Sequence, residues 1–158
     1  MAAYNFVTVW RIAAPIEAVW DALFHTEEWP SWWHYVESVV ELEPGDENGL
    51  GARRHLVWRT RLPYELAFDA QVTHVERPSA LEAIVSGDVE GSGRWTLSRE
   101  GTATKVRYDW NVRTTKRWMD WLAPLARPIF QWNHDSVMNR GGEALARKLG
   151  APFLGMER

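Results

Sequence analysis

The sequence of 158 residues contains no cysteine. This absence excludes disulfide bonds, thiolate metal sites and a cysteine nucleophile. No block of lysine and arginine stands out, and the formal net charge is −3, so we expect no nucleic-acid partner. No run approaches the roughly 18 apolar residues of a membrane span, and the N-terminus lacks a signal-peptide pattern. We therefore expect a cytoplasmic protein.

The sequence also lacks the spacings that mark metal sites and nucleophilic enzymes. The histidines form no HxH or HExxH pattern, and we expect neither a metal nor another cofactor. No GxSxG segment is present. The glycine-rich segment 87–93 (GDVEGSG) lacks the lysine of a phosphate-binding loop and precedes a predicted strand rather than a helix. The five histidines are His25, His34, His55, His74 and His134.

Tryptophan is what the sequence has in excess. Eleven residues are tryptophan, within an ordinary balance of 46% hydrophobic and 25% charged residues. Each indole brings a large apolar surface and one N–H donor. The excess indicates either broad packing between a sheet and a helix or a cavity with aromatic walls. The length suits one domain with a full core, which we predict over residues 1–150, with a C-terminal tail over 151–158.

Hydrophobic periodicity predicts the order of the elements. A strand at 4–13 has its even-numbered side chains on the core side. A short helix begins at Pro15, and a second short helical segment covers 25–33. Six further strands are predicted between residues 35 and 115. Runs of strands followed by a helix are typical of the α+β class with an antiparallel sheet.

After the last of these strands the period becomes helical. Pro124 and Pro128 divide this stretch into a pre-helix, 116–127, and a main helix, 128–149. The pre-helix combines basic, indole and aliphatic side chains, which is typical either of a lid on a cavity or of a segment in transient contact with a membrane surface. In the main helix, the pair Gly141–Gly142 indicates a close approach to the sheet, room for a ligand or a local bend.

Four segments carry a resemblance to known proteins: AAPIEAVWDAL at 13–23, WPSWW at 29–33, GRWTLSREGTATKVRYDW at 93–110 and FQWNHDSVMNRGGEALARKL at 130–149. They resemble the START-like (SRPBCC) superfamily, and the last segment is similar to the final helix of its polyketide cyclase/dehydrase and lipid-transport family. The resemblance implies a helix-grip fold, in which a seven-stranded antiparallel sheet wraps around the long C-terminal helix and two short helices follow the first strand. It also implies a cavity between sheet and helix, on a scaffold that serves catalysts, carriers and receptors alike.

Aromatic side chains are the main candidates for the wall of such a cavity, and the same set would also serve as a dense tryptophan core. On the final helix, Asn133 and His134 point either at a ligand or at a strand end to which they hydrogen-bond. Val137 shares a helical stripe with Asn133. The aromatic candidates are Trp33, Tyr35, Trp58, Phe68, Trp95, Tyr108, Trp110 and Trp132.

The register of the strand predicted at 53–61 decides which of its side chains face the cavity. If Leu56 faces inward, His55 and Arg59 face water, and the opposite register places both polar residues in the cavity. Arg59 is a candidate for orienting a ligand in that second case, and Asp69 on the next predicted strand is another candidate. The sequence leaves both registers open.

These features lead us to expect a carrier or binding protein for a hydrophobic small molecule, such as a lipid, a polyketide-like aromatic compound or an isoprenoid. The alternative is an enzyme of the cyclase or dehydratase type that uses His55 or His134 for acid–base chemistry. A structural domain without a small ligand is a third alternative. The sequence predicts no oligomeric state.

Overall fold

The computed structural model describes residues 3–158, apart from the side chain of Ala123, so the first two residues of the predicted domain lie outside it. The strands are β1 (Ala3–Ile12), β2 (Val36–Glu43), β3 (Arg53–Arg59), β4 (Glu65–Glu76), β5 (Ala80–Gly87), β6 (Val89–Glu100), β7 (Ala103–Thr114) and β8 (Phe153–Glu157). The helices are α1 (Ile16–Phe24), α2 (Trp29–Trp32) and α3 (Arg117–Lys148), with a 3₁₀ turn at Thr26–Glu28 before α2. Within the described range, no helix is both long enough and apolar enough to cross a membrane.

The strands form one antiparallel sheet in the order β2-β3-β4-β5-β6-β7-β1-β8. The helix-grip arrangement predicted from the sequence is confirmed: two short helices follow β1, and α3 packs against β1, β7 and β8. The sheet has eight strands rather than the predicted seven. The eighth lies in the segment assigned to a tail, where Met156 pairs with Trp10 of β1. A five-residue segment that contains a glycine has too little alternation to predict a strand from the sequence. It forms a strand because it pairs with β1.

The long helix is continuous, so the predicted division into a pre-helix and a main helix is wrong. It begins at Arg117 and passes through both Pro124 and Pro128. A proline inside a helix removes one N–H donor to the carbonyl four residues earlier. Both prolines are exposed, so water can bind the carbonyl oxygens that lose a donor. Packing of the helix on the sheet therefore outweighs the local preference for a break.

The core side of β1 agrees with the prediction, since its even-numbered side chains are buried and its odd-numbered ones are more exposed. Trp10 lies at the centre of an aromatic core, with ring centroids 5.9 Å from Trp33 and 5.4 Å from Trp95. Gly141 and Gly142 allow α3 to approach this core closely. A Cβ atom at Gly141 would lie 2.3 Å from Cε2 of Trp33, and one at Gly142 would lie 2.7 Å from the ring of Phe153.

The register of β3 places Leu56 and Trp58 on the inner face of the sheet. Leu56 pairs with Phe68 of β4, and Trp58 pairs with Leu66. Leu56 is buried. Since neighbouring residues of a strand point to opposite faces, His55 lies on the outer face.

Candidate functional site

A cavity of about 130 Å³ lies between the inner face of the sheet and α3. Strands β1, β3, β4, β6 and β7 supply most of its wall because their alternate side chains point toward the helix. Helix α3 covers it with residues spaced three and four apart along one face. The lining from the helix is Met119, Phe130, Asn133, His134, Val137 and Met138.

Most of the sequence-predicted site residues lie in this lining. On the sheet and α2 side they are Trp33, Trp58, Phe68, Trp95, Tyr108 and Trp110, and on the helix they are Asn133, His134 and Val137. The sequence presented a cavity wall and a tryptophan core as alternatives. The structure shows both, because Trp33 and Trp95 contact Trp10 of the core and also line the cavity.

His55 and Arg59 do not reach the cavity, because the register of β3 turns them to the outer face. Nδ1 of His55 lies 2.7 Å from Oδ1 of Asp69, whose carboxylate is also on that face. Arg59 is exposed and forms ion pairs with Glu37 and Glu65. The structure therefore contradicts the hypotheses that His55 acts as a catalytic residue in the cavity and that Arg59 and Asp69 orient a ligand there.

Two aromatic candidates also lie outside the lining. Tyr35 is half-buried against the core and lies in the turn between α2 and β2, one residue before β2 begins. Trp132 is exposed on the side of α3 that faces away from the cavity, where the guanidinium carbon of Arg61 lies 5.9 Å from its ring centroid. Both assignments depended on composition alone, without a helical or strand direction to orient the side chain.

The structure adds residues that the sequence did not single out. Tyr4 and Tyr64 line the cavity, as does Met119 near the start of α3. Tyr4 alternates in phase with the buried face of β1, so the strand pattern contained a signal for it. Met119 lies on the same helical face as Phe130 and Asn133. That signal was hidden because the predicted break at Pro124 separated their positions.

Aromatic side chains divide the space on the inner face of the sheet. A second cavity of about 70 Å³ lies behind the first, next to Thr26 and Arg54 and over the inner faces of β4 and β5. The two cavities share a partition of stacked rings, in which Tyr108 lies 4.1 Å from Trp95 and 5.9 Å from Trp110 between centroids. The shared lining residues are Trp29, Trp58, Phe68, Trp95, Tyr108 and Trp110.

Four residues that line the larger cavity carry buried polar atoms that lack hydrogen-bond partners among residues 3–158. They are the hydroxyl of Tyr4, Nε1 of Trp58, Oδ1 of Asn133 and Nδ1 of His134. Nδ1 of His134 lies 4.0 Å from the Asp135 carboxylate, which is too far for a hydrogen bond. Each unpaired buried polar atom costs about 1–3 kcal/mol. A ligand that hydrogen-bonds to these atoms would recover part of that cost.

The cavity is uncharged at neutral pH. Its lining contains no aspartate, glutamate, lysine or arginine. Burial lowers the pKa of His134, an effect that the nearby Asp135 carboxylate partly opposes, so the imidazole is neutral. Burial raises the pKa of Tyr64 to about 12 and also raises the pKa of Tyr108. The phenols therefore remain protonated and can donate hydrogen bonds.

The described residues contain no group of three histidine, cysteine, aspartate or glutamate side chains placed to bind one metal ion. The chemistry that this lining offers is apolar contact, hydrogen bonding and proton exchange at one neutral imidazole. Desolvation strengthens such polar contacts because water does not compete with them.

The comparisons with known proteins agree with this architecture. No curated protein sequence matches the chain significantly. Its fold is similar to that of the Zhui aromatase/cyclase from a Streptomyces species, with a TM-score of 0.76, 15% identity and coverage of 94% of each chain. It is also similar to a START superfamily protein from Mycobacterium smegmatis, with a TM-score of 0.75, 13% identity and coverage of 92% of this chain and 97% of that one.

The family is assigned from the amino-acid sequence. A model of the family described as polyketide cyclase/dehydrase and lipid transport matches residues 12–140, which include β2 to β7 and most of α3. The matched range carries most of the cavity lining. This chain therefore belongs to the polyketide cyclase/dehydrase and lipid-transport family of START-like proteins.

Proposed function

We propose that this protein binds an uncharged aromatic molecule that carries a hydroxyl or carbonyl group, in the cavity between the sheet and α3. One observation carries the proposal: four polar atoms without partners among the described residues belong to side chains that line a cavity whose remaining wall is aromatic and aliphatic. Such atoms cost stability while they stay unpaired, and a ligand that hydrogen-bonds to them recovers part of that cost.

The charge of the lining favours a neutral ligand over an ionised one. A carboxylate ligand would be desolvated in a cavity that has no lysine or arginine in its wall. The available donors and acceptors suit a neutral phenol or ketone: the Tyr4 hydroxyl and the Trp58 indole donate, and Oδ1 of Asn133 accepts. This preference separates the proposal from the binding of a free fatty acid.

The volume favours a ligand of about one ring in the larger cavity. An engineered apolar cavity of about 150 Å³ binds benzene, and this cavity measures about 130 Å³. A larger ligand would have to displace the ring partition and enter the second cavity. Trp58 is half-buried and belongs to both linings, so its movement would join the two spaces.

The test compares a neutral and a charged ring of similar size. We expect 4-methylphenol to bind the purified protein and benzoate to bind at least tenfold more weakly, as measured by calorimetry or ligand-observed NMR. Val137→Trp fills the cavity and is expected to abolish binding of 4-methylphenol. Ile84→Trp places the same ring on the outer face of the sheet and is expected to leave binding unchanged.

Urea unfolding shows whether each variant is folded before its binding is interpreted. Equal binding of benzoate and 4-methylphenol would contradict the preference for a neutral ligand. Unchanged binding by folded Val137→Trp would contradict the cavity as the site. Native mass spectrometry of the freshly purified protein, followed by denaturing extraction, identifies any ligand that co-purifies.

A second function, ring closure with loss of water, is favoured by the position of His134. Its neutral imidazole lines the cavity, and its Nδ1 has no hydrogen-bond partner in the described part of the chain. Such a group can take a proton from the carbon next to a ketone and return it to the departing hydroxyl. Both transfers would occur within one apolar space.

A small diketone tests this second function. Intramolecular aldol closure of 2,6-heptanedione and loss of one water gives 3-methylcyclohex-2-enone, which is followed by its ultraviolet absorbance. We expect the wild-type protein to accelerate this reaction and His134→Gln to lose the acceleration. His34→Gln changes an exposed histidine and serves as the control. Absence of acceleration by a protein that binds 4-methylphenol would leave binding as the function.

A further inference from the structure

Helix α3 has an exposed apolar surface in addition to the face that lines the cavity. Trp121 and Leu125 are 82% and 83% exposed, which makes them the most exposed large apolar side chains of the described residues. The surface consists of residues spaced three or four apart, so they form one stripe along the helix. The stripe residues are Trp118, Trp121, Leu125, Ile129 and Trp132.

The stripe lies on the side of α3 away from the cavity, but its N-terminal end contacts the cavity wall. At 100° per residue, it lies roughly 140° around the helix from the cavity-lining face. Its first member, Trp118, packs edge-to-face on Tyr64 with ring centroids 5.0 Å apart, and Tyr64 lines the cavity. Trp132 contacts Arg61, which belongs to the same loop between β3 and β4. A surface that covers the stripe would therefore also lie next to the loop between β3 and β4, which supplies Tyr64 to the cavity wall.

The charges beside the stripe are positive. Arg117 and Arg61 are exposed, and the structure gives neither a carboxylate partner within residues 3–158, in contrast to the paired Arg107 and Arg113 of β7. The only acidic residue between positions 116 and 132 is Asp120, and its carboxylate accepts a hydrogen bond of 2.5 Å from Thr114.

The direction of the helix adds to this positive potential. The N-terminus of α3 carries the positive end of the helix dipole, and a basic residue at this end is unfavourable for the isolated helix. Arg117 occupies the first helical position nevertheless. An anionic surface in contact with this end of α3 would be attracted both by Arg117 and by the positive end of the helix dipole.

We propose that the stripe docks on the surface of a lipid bilayer that contains anionic lipids. Indoles, leucine and isoleucine beside unpaired arginines are the composition of helices that lie in the headgroup region. A second copy of the chain is a poorer occupant. A two-fold contact would place the same patch on both subunits, so that arginines without carboxylate partners would face one another. The proposal does not depend on the ligand that the cavity binds.

Vesicle flotation at low salt tests the docking. We expect the wild-type protein to float with phosphatidylcholine vesicles that contain phosphatidylglycerol, to bind at least tenfold more weakly to pure phosphatidylcholine, and to lose binding as salt is raised. The double variant Trp121→Ala/Leu125→Ala removes the most exposed stripe residues and is expected to bind anionic vesicles at least tenfold more weakly. Arg117→Gln is expected to weaken binding severalfold and to reduce its salt dependence.

Ile84→Ala is the matched control, because Ile84 is 51% exposed on β5, outside the stripe. We expect its vesicle binding to equal that of the wild type. Failure of the wild-type protein to float with anionic vesicles overturns the proposal, as does equal loss of binding in Ile84→Ala and the stripe variant. Sedimentation of a dimer that the stripe variant abolishes, without vesicle binding, would assign the stripe to a second copy of the chain instead.

Discussion

The two halves of α3 differ in how closely they pack against the sheet. The C-terminal half approaches the sheet so closely that Gly141 and Gly142 leave no space for a Cβ atom. The N-terminal half stands away from the sheet, with Met119 and Phe130 over the cavity and Trp121 and Leu125 in solvent. The same helix therefore anchors the fold at one end and leaves both a space and an apolar surface at the other.

This difference has a physical basis in the side chains that meet the helix. In the C-terminal half, Nε1 of Trp33 donates a hydrogen bond of 3.1 Å to the carbonyl oxygen of Val137, beside the surface left open by Gly141. A buried indole with a paired N–H fixes the distance between helix and sheet. By contrast, the hydroxyl of Tyr4 on β1 and Oδ1 of Asn133 at the middle of α3 have no such partners in the described range, and no contact of that kind closes the space.

The substitution Gly141→Ala tests the packed half and should have the largest effect on stability. The added Cβ atom would lie 2.3 Å from Cε2 of Trp33, so the indole must move. We expect the free energy of unfolding to fall by about 2–3 kcal/mol, because overpacking and the strained hydrogen bond exceed the gain in helix propensity of about 1 kcal/mol. Urea unfolding of the ligand-free protein measures the change.

Ala126→Gly is the counterpart in the open half. It removes helix propensity, and we expect it to lower the free energy of unfolding by about 1 kcal/mol. A stabilised Gly141→Ala variant would show that the close approach is not maintained in solution, and the contrast between the two halves would be lost.

The pH dependence of stability tests the burial of His134, with an effect of intermediate size. A histidine in the unfolded chain titrates near pH 6.5, and burial lowers the pKa of His134 in the fold. Between these two values only the unfolded chain binds the proton, so stability falls as the pH is lowered below about 6.5, by at most about 1.4 kcal/mol per pH unit. Above that pH the contribution is fully present.

Urea unfolding at pH 7.5 and at pH 5.0 measures this slope. His134→Gln is expected to flatten it, and His74→Gln, which changes an exposed histidine on β4, is expected to leave it unchanged. The depressed pKa of Asp135 affects stability only below about pH 4, outside this range. An identical slope in the wild type and in His134→Gln would contradict the burial of a neutral imidazole.

The exposed stripe should contribute least to stability. Trp121→Ala/Leu125→Ala removes two large side chains that are more than four-fifths exposed, and we expect the free energy of unfolding to change by less than about 0.5 kcal/mol. The midpoint of urea unfolding checks this. A loss of more than 1 kcal/mol would show that the stripe packs on the protein in solution.

The sequence predicted the parts of the site that depend on strand alternation. Tyr108 and Trp110 lie in the cavity because alternate residues of β7 point inward, and the pattern of that strand is unambiguous. It failed to place residues whose direction depends on pairing. His55 and Arg59 alternate with Leu56 and Trp58, and apolar residues at both 56 and 57 make either register compatible with the local pattern.

By itself, the sequence determined the α+β class, the order of the elements down to the short helices after β1, and the aromatic character of the cavity wall. These follow from periodicity and composition, which act within a few residues of the chain. Only the tertiary structure decided the register of β3, the addition of β8 to the edge of the sheet and the passage of α3 through Pro124 and Pro128. Each of these depends on contacts between residues that are distant along the chain, and their packing energy exceeds the local preferences that the sequence displays.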